Sequence, residues 1–442
     1  MRVPTQDLFA IRSPRPPRQF LPRLSLAPNP FRAAMKPQTQ APALEDQMAD
    51  HFAGFGHDTH RPSPRVALIH DWLTGMRGGE KALEALCEMF PDAPLWTLVH
   101  VPRSVSEAIE ARTIHTSFLQ HMPFSRTKYR EYLPLFPLAA EMTKVTAKDA
   151  DVVISTSHAV AKAMVKKNGH GPLHICYIHT PMRYIWDRFD DYFGPEQVGR
   201  VASHLFFKPI AKLLQLYDRH TVDRVDVYCT NSHYVAKRIR ELYGREAEVI
   251  YGPGDVGNGA AVIRRPEDWY LMVTALVPYK RVDEAIAACA GLGRPLKIVG
   301  KGPEERKLKN LARHLGASVD FLGFVGDDEL LNSYGKAKAL IFPGIEDFGL
   351  VPVEAAAAGC PVIALAKGGV VDSMTAETAE FYEEESAAAL QEAILRFEGR
   401  EFSDAAMRRR AAEFTRDQFS RRFETVLRSA LSARRVPEPA CA

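Results

Sequence analysis

The sequence has 442 residues, 46% of them hydrophobic and 25% charged, which is a soluble composition in a chain too long for one compact core. The formal net charge is +3, but residues 1–47 hold seven Lys and Arg against three Asp and Glu, a surplus of four that leaves the remainder at −1. A nearly neutral body argues against nucleic acid as the main partner.

The six cysteines show no CxxC or metal-like spacing, which predicts reduced, mostly buried thiols in a cytoplasmic protein. Residues 1–64 carry 11 of the 31 prolines and no sustained periodicity. They are interpreted as a disordered extension, or as translation assigned upstream of a start at Met35 or Met48. A cleaved targeting peptide is the alternative, but no apolar run there is long enough for a signal peptide or a membrane span.

From Arg65 onward the pattern predicts alternating strands and helices. "RVALIHDW" reads as a strand, "LTGMRGG" as a glycine-bearing loop, and "EKALEALCEMF" as a helix, which together open a βα unit. Similar apolar runs recur at "DVVISTS", "HICYIHT", "DVYCTNS" and "AEVIY". A second series comprises "WYLMVTAL", "PLKIVG", "VDFLGFV", "ALIFPG" and "PVIALA". Two such series predict an α/β protein with two Rossmann-like domains, divided near residues 251–260, where glycine and proline concentrate.

The stretch "GIEDFGLVPVEAAAAGCPVIA" places two glutamates, Glu346 and Glu354, around a predicted helix start. Pro352 suits the first turn of that helix, and Gly359 would close it. The backbone N–H groups near Gly349, Leu350 and Val351 would then form a site for a phosphate-like anion.

The two glutamates need separate explanations. Glu354 alone is explained by a favourable interaction with the helix dipole or by a cap. Glu346 beside an anion pocket needs another role, and carboxylates accept hydrogen bonds from sugar hydroxyls. Two carboxylates around one phosphate site would suit a nucleotide sugar, with hexose hydroxyls on one side and ribose hydroxyls on the other.

This stretch resembles the E-x7-E signature of the family 4 retaining glycosyltransferases, which have the GT-B fold. "LVPYKRVDEAI", "LKIVGKGPE", "FLGFVGDDELLNSYGKA" and "TNSHYVAKRI" agree with it. "HDWLTGMRGGEKALE" and "YIHTPMRYIWD" resemble the branch of O-antigen and exopolysaccharide mannosyltransferases. The resemblance runs from about Arg65 to Ser432.

The resemblance implies two Rossmann-like domains facing a central cleft, with a carboxyl-terminal helix packing back across them. Closure of the cleft would turn on a hinge near Gly252 and Gly254. The expected divisions are an extension at 1–64, an acceptor-side domain at 65–252, a nucleotide-sugar-binding domain at 253–402, a helical crossover at 403–434 and a tail at 435–442.

The resemblance also implies roles for individual residues. Glu346 would bind the transferred hexose, helped by backbone N–H groups at Phe348 and Gly349, and Glu354 would bind the ribose. Leu350 and Val351 would offer N–H groups to the distal phosphate. Lys280 would neutralise the diphosphate, although a solvated surface lysine is the structural alternative.

On the amino-domain side, the implied residues are Gly78, Gly79 and His179. The two glycines would let the backbone approach the donor phosphate and the acceptor. His179 would face the hexose, although a histidine after a strand is usually structural.

Two departures from the family pattern bear on donor binding. Ala275 stands where many members have an arginine that shares the diphosphate charge, and Arg281 is the candidate to compensate. Gly254 in "YGPGD" replaces the valine of "YPPVD" and predicts a more flexible hinge.

The mechanism is expected to need no metal and no cofactor besides the nucleotide-sugar donor. The sequence has no Asp-x-Asp motif where a metal-dependent sugar transferase would need one, because "FDDYF" and "GDDEL" read as loop or helix-start acids. Lys280, backbone N–H groups and the helix terminus would stabilise the leaving diphosphate. The resemblance implies front-face displacement with retention.

The acceptor side is less determined. Residues 121–138, "HMPFSRTKYREYLPLFPL", mix basic and aromatic side chains in the amino domain. They would either meet a lipid-linked saccharide at the cytoplasmic face of the inner membrane, as a peripheral contact, or form ordinary packing with a solvated basic edge.

The expected function is hexose transfer, mannose from GDP-mannose, to a glycan or lipid-linked saccharide in lipopolysaccharide or exopolysaccharide biosynthesis. The alternatives are a GT-B enzyme of another reaction, such as an epimerase or phosphorylase, and a catalytically silent nucleotide-binding scaffold.

Overall fold

A computed structural model describes residues 64–146, 148–167, 171–195 and 199–435. The predictions for the 1–64 extension and the 435–442 tail therefore fall, apart from their boundary residues, outside the described residues. Between residues 64 and 435 the described chain builds two parallel sheets, one from each predicted series of strands.

The first sheet has seven parallel strands in the order β3-β2-β1-β4-β5-β6-β7. Its central strands β4 and β5 are buried at every position, as expected for a parallel sheet covered on both faces. The strands are β1 Val66–His70, β2 Leu95–Thr97, β3 Ile114–Thr116, β4 Val152–Ser157, β5 Leu173–Ile178, β6 Val227–Thr230 and β7 Ala247–Val249.

The second sheet has six parallel strands in the order β10-β9-β8-β11-β12-β13. Both orders are those of doubly wound sheets, so the predicted pair of Rossmann-like domains is confirmed. The strands are β8 Tyr270–Val273, β9 Leu296–Val299, β10 Val319–Gly323, β11 Leu340–Phe342, β12 Val362–Leu365 and β13 Ala379–Tyr382.

Helices connect the strands and cover both sheets. In the first half they are Gly78–Met89, Glu107–Glu110, Ser125–Lys128, Phe136–Met142, Arg183–Trp186, Phe189–Phe193, Arg200–Ala202, Lys208–His220 and His233–Tyr243. In the second half they are Val282–Leu292, Glu305–His314, Asp327–Lys336, Leu350–Ala357, Val370–Ser373, Ala387–Glu398, Asp404–Ala411 and Arg416–Arg435. Among these described residues, no helix combines the length and apolar content needed to cross a membrane.

The direction of winding reverses once in each sheet, between β1 and β4 in the first and between β8 and β11 in the second. In open α/β sheets, ligands bind in the crevice beyond the carboxyl ends of the strands at such a reversal. The fold therefore marks two crevices. The first lies beyond His70 and Ser157, and the second beyond Val273 and Phe342.

The carboxyl-terminal helices pack against both halves, as expected. Met407, Ala411 and Phe414 lie in the core of the second half. Phe419 and Phe423, on the next helix, lie in the core of the first half. At the start of that helix, Arg416 donates to Glu84 at 2.6 Å and also pairs with Glu88, so the chain's last long helix is tied to the helix Gly78–Met89.

The segment between the two sheets is in close contact with the second half at Gly254. The N–H of Gly254 donates to the carbonyl oxygen of Phe414 at 2.8 Å. A Cβ atom at Gly254 would lie 3.0 Å from Cγ1 of Val353, tighter than ordinary van der Waals contact. The glycine at this position therefore permits a close approach between the connecting segment and the helix Leu350–Ala357.

The thiol prediction is met in the described part of the chain. Five cysteines there are free and buried. Burial raises the pKa of the Cys87 and Cys176 thiols to about 12, so both remain protonated and unreactive at neutral pH. Cys441 lies outside the described residues.

Candidate active site

Residues 343–349, called here the acid loop, connect β11 to the helix Leu350–Ala357. The loop therefore leaves the sheet at the second crevice. Gly349 adopts a φ of +83° at the helix N-cap, a left-handed conformation that suits glycine. Because the helix begins at Leu350, the N–H groups of its first turn have no partners within the helix and are available to an anion.

Lys280 and Glu346 form an ion pair in the second crevice. Lys280 ends the short 3-10 turn Pro278–Lys280 that follows β8, and Glu346 lies in the acid loop after β11. Their side chains are 13% and 22% exposed. Two residues proposed for the same ligand, separated by 66 positions in sequence, thus meet at the point of strand reversal.

Glu354 lies one turn into the helix, with its side chain 19% exposed. Its carboxylate accepts hydrogen bonds from Nζ of Lys81 at 3.5 Å and from the hydroxyl of Tyr334 at 3.4 Å. Burial raises the pKa of Glu354, although the charge of Lys81 acts in the opposite direction. Lys81 comes from the first half of the chain, so this contact joins the two halves across the cleft.

Gly78 faces the second half of the chain, and Gly79 faces His179. A Cβ atom at Gly78 would lie 2.9 Å from Cδ1 of Leu350, and one at Gly79 would lie 3.5 Å from Nε2 of His179. Gly78 therefore brings the backbone of the first half against the start of the helix Leu350–Ala357, whereas Gly79 lies beside His179 of its own half.

His179 follows β5 at the edge of the first crevice. Its Nε2 is buried and has no hydrogen-bond partner among the described residues. Burial lowers the pKa of His179 well below its usual range, and nearby His158 and His70 act in the same direction. The imidazole is therefore neutral at physiological pH and can exchange a hydrogen bond with a neutral hydroxyl.

Asp71 shapes the first crevice. Its buried carboxylate accepts backbone hydrogen bonds of 2.7–2.9 Å from four consecutive residues, 158–161. The loop after β4 is thereby fixed against the end of β1. His158, the first residue of that loop, has a pKa lowered to about 4 by burial and is neutral as well.

The side chains of two predicted site residues, Arg281 and Phe348, are engaged with other parts of the protein. Arg281 turns away from Lys280 and pairs with Glu284 and Glu385. The structure therefore does not bring it to Glu346 or Glu354. The Phe348 side chain packs between Tyr251 and Phe414, at ring-centroid distances of 5.9 and 5.7 Å. Only the backbone of Phe348 is left for a ligand.

Asp347 carries the main ionic contact between the two halves. Its carboxylate accepts from Nε of Arg183 at 2.7 Å and from an Nη atom of Arg238 at 3.0 Å. Both the Asp347 and Arg238 side chains are 9% exposed. Arg183 and Arg238 belong to the first half, so the acid loop is held directly by that half.

Further contacts surround this ion pair. Ser232 donates to the carbonyl oxygen of Asp347. His233, at the start of the helix His233–Tyr243, bonds Asp372 through its backbone N–H at 2.9 Å and contacts it through Nδ1 at 2.6 Å. The cleft is therefore closed by polar contacts on both sides of the acid loop.

Sequence reasoning missed Asp347, Arg183 and Lys81 as site residues. Each lies inside a quoted motif: Asp347 follows Glu346 in "EDFG", Arg183 lies in "YIHTPMRYIWD", and Lys81 follows the glycine pair in "GGEK". Charged residues adjacent to motif residues were the available signal.

Two family models match the chain. Residues 76–256 match Glycosyltransferase Family 4, and residues 261–418 match Glycosyl transferases group 1. The two matches correspond to the two sheets and span most of the described chain. The chain belongs to the GT-B glycosyltransferases.

Curated relatives agree over part of their length. A D-inositol 3-phosphate glycosyltransferase of Mycolicibacterium smegmatis is 30% identical over 188 residues, 40% of this chain and 41% of the relative. A GDP-mannose-dependent monoacylated alpha-(1-6)-phosphatidylinositol monomannoside mannosyltransferase of Corynebacterium glutamicum is 29% identical over 182 residues, 35% of this chain and 48% of the relative. This GT-B chain thus spans less than half the length of these relatives.

A solved structure supports the fold over a wider region. The Anabaena protein HepE, in complex with UDP and glucose, superposes with a TM-score of 0.57 at 16% identity and covers 83% of this chain and 100% of its own. The GT-B fold predicted from the sequence is confirmed. The roles predicted for individual site residues remain predictions. Among the residues that the structure describes, no group of three or more His, Cys, Asp or Glu could hold a metal ion.

The first test concerns Asp347. In Asp347→Asn, Arg183 loses its ion-pair partner while Arg238 keeps Asp187, which should destabilise the closed cleft by about 1–3 kcal/mol, less than for a fully buried pair because Arg183 is partly exposed. We expect small-angle scattering to show a larger radius of gyration and donor turnover to fall about 10- to 100-fold. Asp268→Asn, at an exposed acid of the same half, is the control. Wild-type compaction in Asp347→Asn would refute this role.

The second test uses the raised pKa of Glu354. If the carboxylate binds ribose hydroxyls, protons compete with the nucleotide, so affinity should fall as the pH drops through the raised pKa. This loss should begin at a higher pH than an ordinary glutamate would give. In Glu354→Gln this titration is absent, so the affinity gap between wild type and variant should shrink on acidification. Calorimetric titration with a nucleoside diphosphate across pH measures the gap, and a pH-independent gap contradicts the assignment.

Proposed function

We propose that this GT-B chain is a retaining, metal-independent glycosyltransferase that moves a hexose, mannose from GDP-mannose, to a glycan or lipid-linked saccharide in surface-polysaccharide biosynthesis. The observation that carries the proposal is the geometry of the second crevice. Glu346 and Glu354 flank one helix start, Lys280 reaches Glu346, and Gly78 faces that helix start from the first half.

The proposed donor-phosphate site combines the N–H groups at Leu350 and Val351 with Lys280. In the structure Lys280 is paired with Glu346. A bound diphosphate, with its greater negative charge, would compete with Glu346 for this lysine. Glu346 would then be free to accept hydroxyl groups of the hexose, so binding of the phosphate and of the sugar would be coupled through one ion pair.

The hexose would lie between Glu346 and His179. A neutral imidazole with an unpartnered, buried Nε2 suits a sugar hydroxyl, because either partner can donate. Glu354 would accept ribose hydroxyls while Lys81 offsets part of its charge. This arrangement assigns one carboxylate to each end of the donor.

The chemistry requires stabilisation of negative charge on the leaving diphosphate as the glycosidic bond breaks. Lys280 and the helix amino terminus are the groups positioned to supply it. In the proposed front-face displacement, the acceptor hydroxyl attacks from the side of the departing phosphate, and a phosphate oxygen takes the hydroxyl proton. The new bond then keeps the configuration of the old one.

The identities of the sugar and acceptor rest on relatives. The C. glutamicum relative is named as GDP-mannose-dependent and as acting on a phosphatidylinositol mannoside. These names support mannose as the transferred sugar and a lipid-linked saccharide as the acceptor. We further propose that the reaction takes place at the cytoplasmic face of the membrane, where a lipid-linked acceptor would be available.

A catalytically silent scaffold is the second candidate, and one observation favours it. Ala275 supplies no charge, and Arg281 pairs with Glu284 and Glu385 instead of replacing the missing arginine. Among the predicted site residues, Lys280 is then the one whose side chain brings a positive charge to Glu346. Nucleotide binding without any release of sugar from a panel of donors would favour the scaffold over the enzyme.

The third test separates the two glutamates. Glu346→Gln removes charge beside the carbon that becomes positive in the transition state, so turnover of GDP-mannose should fall strongly while GDP still binds. Glu354→Gln should weaken GDP and GDP-mannose alike, because both contain the ribose. A charged hydrogen bond contributes roughly 1.5–3 kcal/mol, so GDP affinity should fall about tenfold or more.

Calorimetric titration with GDP and a donor-turnover assay read out both variants. Glu305→Gln, at an acid on the surface helix Glu305–His314, is the control for removal of a carboxylate elsewhere in the same half. Equal losses of GDP affinity in both glutamate variants, or no loss in Glu354→Gln, would reject the division of roles.

The fourth test concerns metal. If Lys280 and the helix terminus stabilise the diphosphate, EDTA should leave the rate of hexose transfer essentially unchanged. The rate is measured before and after chelation and again after adding Mg²⁺ or Mn²⁺. Loss of transfer that only a divalent ion restores would overturn the proposed mechanism.

A further inference from the structure

Residues 200–220 form one continuous helical run on the surface of the first half. It consists of the helix Arg200–Ala202, a π-helical stretch Ser203–Phe207 and the helix Lys208–His220. The inner side of this run, at Ala211 and Leu214, packs into the core of the first half. The run is therefore anchored, and its outer side is a stable surface.

The outer side of the run is strongly apolar. Five of its large hydrophobic side chains are between 56% and 68% exposed: Val201, Leu205, Phe206, Leu213 and Leu216. Single exposed apolar residues are normal on proteins, but a cluster of this kind on one helix marks an interaction surface.

The charge of the run has one sign on its outer side. Arg200, Lys208 and Lys212 are exposed there. The single acid, Asp218, is 2% exposed and lies on the inner side, where it pairs with Lys162 at 3.0 Å. No carboxylate of the run therefore offsets the exposed basic side chains.

A neighbouring helix extends the apolar surface. The hydroxyl of Tyr217 donates to Glu141 at 2.9 Å, which joins the run to the helix Phe136–Met142. That helix exposes Leu138 and Met142 by 52% and 67%. Two adjacent helices of the first half thus present unpartnered apolar side chains.

We propose that the outer face of residues 200–220 docks on an anionic lipid membrane. A helix that presents Leu and Phe beside Lys and Arg lies in the plane of a bilayer interface, with its apolar side chains among the acyl chains and its cations at the headgroups. Anionic lipids supply the negative charge that this face lacks. A second copy of this chain would instead place two sets of like charges opposite each other.

This assignment moves the membrane surface away from residues 121–138. In that segment Tyr129, Leu133 and Phe136 are buried in the first-half core, which is the packing role that the sequence left open. Phe124 and Leu138 are its exposed large apolar side chains. The segment borders the proposed surface through Leu138 but does not form it.

The docked helix would be linked directly to the cleft. Nε1 of Trp186 donates to Asp218 at 2.8 Å, and the side chain of Gln215 donates to the carbonyl oxygen of Ile185. The short helix Arg183–Trp186 begins with the arginine that binds Asp347 in the acid loop. If the proposed function holds, a lipid-linked acceptor would reach the cleft from the membrane on this side; the affinity for lipid itself does not depend on that function.

The test is co-sedimentation of the full chain with vesicles of phosphatidylglycerol and phosphatidylcholine, and with vesicles of phosphatidylcholine alone. We expect binding to the anionic vesicles that weakens with salt. Leu213→Gln with Leu216→Gln should reduce it at least tenfold. Lys208→Gln with Lys212→Gln should reduce it roughly 20- to 30-fold, from about 1 kcal/mol per cation.

Leu395→Gln is the matched control, because Leu395 is 52% exposed on the helix Ala387–Glu398 of the other half. It should bind vesicles as the wild type does. Calorimetry with GDP should give wild-type affinity in all these variants, so failure of the proposed function and failure of membrane docking are read separately. Absence of vesicle binding, equal binding to neutral vesicles, or a dimer that the leucine variants dissociate would each overturn the proposal.

Discussion

Asp347 is the residue on which the arrangement of the cleft depends most. It lies beside Glu346, and its carboxylate bridges Arg183 and Arg238 of the other half. Separation of the halves would part Asp347 from both arginines, and although Arg238 would keep Asp187 of its own half, Arg183 and Asp347 would lose each other, so the contact favours the closed cleft. Closure of the cleft and placement of Glu346 are therefore parts of one interaction. A loop held only by its own half would leave the position of Glu346 independent of closure.

The order of residues in the acid loop follows from this constraint, since each consecutive residue has a different partner. Glu346 pairs with Lys280, and Asp347 with the first half. Phe348 packs against Tyr251 and Phe414, which fixes the loop to the connecting segment. Gly349 then turns with positive φ, so that the helix can start at once. The result is a rigid loop whose backbone N–H groups at the helix start are kept for a ligand.

The sequence predicted the two-sheet fold because apolar runs and helical spacing are local signals. Strands β2, β3 and β13 were not predicted from the sequence. The first two read "LWT" and "IHT", short runs that contain polar residues, and β13 reads "AEFY" beside an acidic run. Glu346, Glu354 and Lys280 were predicted as site residues from motifs. The Asp347–Arg183 contact spans 164 positions, and no local pattern indicates which of 57 basic residues meets a given acid. Arg281 shows the converse, since nearness in sequence to Lys280 did not bring it to the same site.

The Lys280–Glu346 pair sets a condition that an anion binding at this lysine has to meet. Ala275 and the turned-away Arg281 add no positive charge beside Lys280, and the ammonium group of Lys280 is paired with Glu346. An anion that displaces Glu346 must replace the electrostatic stabilisation that the ion pair gives Lys280. A weakly charged ligand would therefore gain little binding free energy there. A diphosphate can do so, because the helix start adds N–H groups beside the lysine. Glu346 is then left partly desolvated and unpaired, which is unfavourable unless hydroxyl groups approach it. If the proposed function holds, the same exchange would select for a ligand that carries both a diphosphate and a polyhydroxylated group.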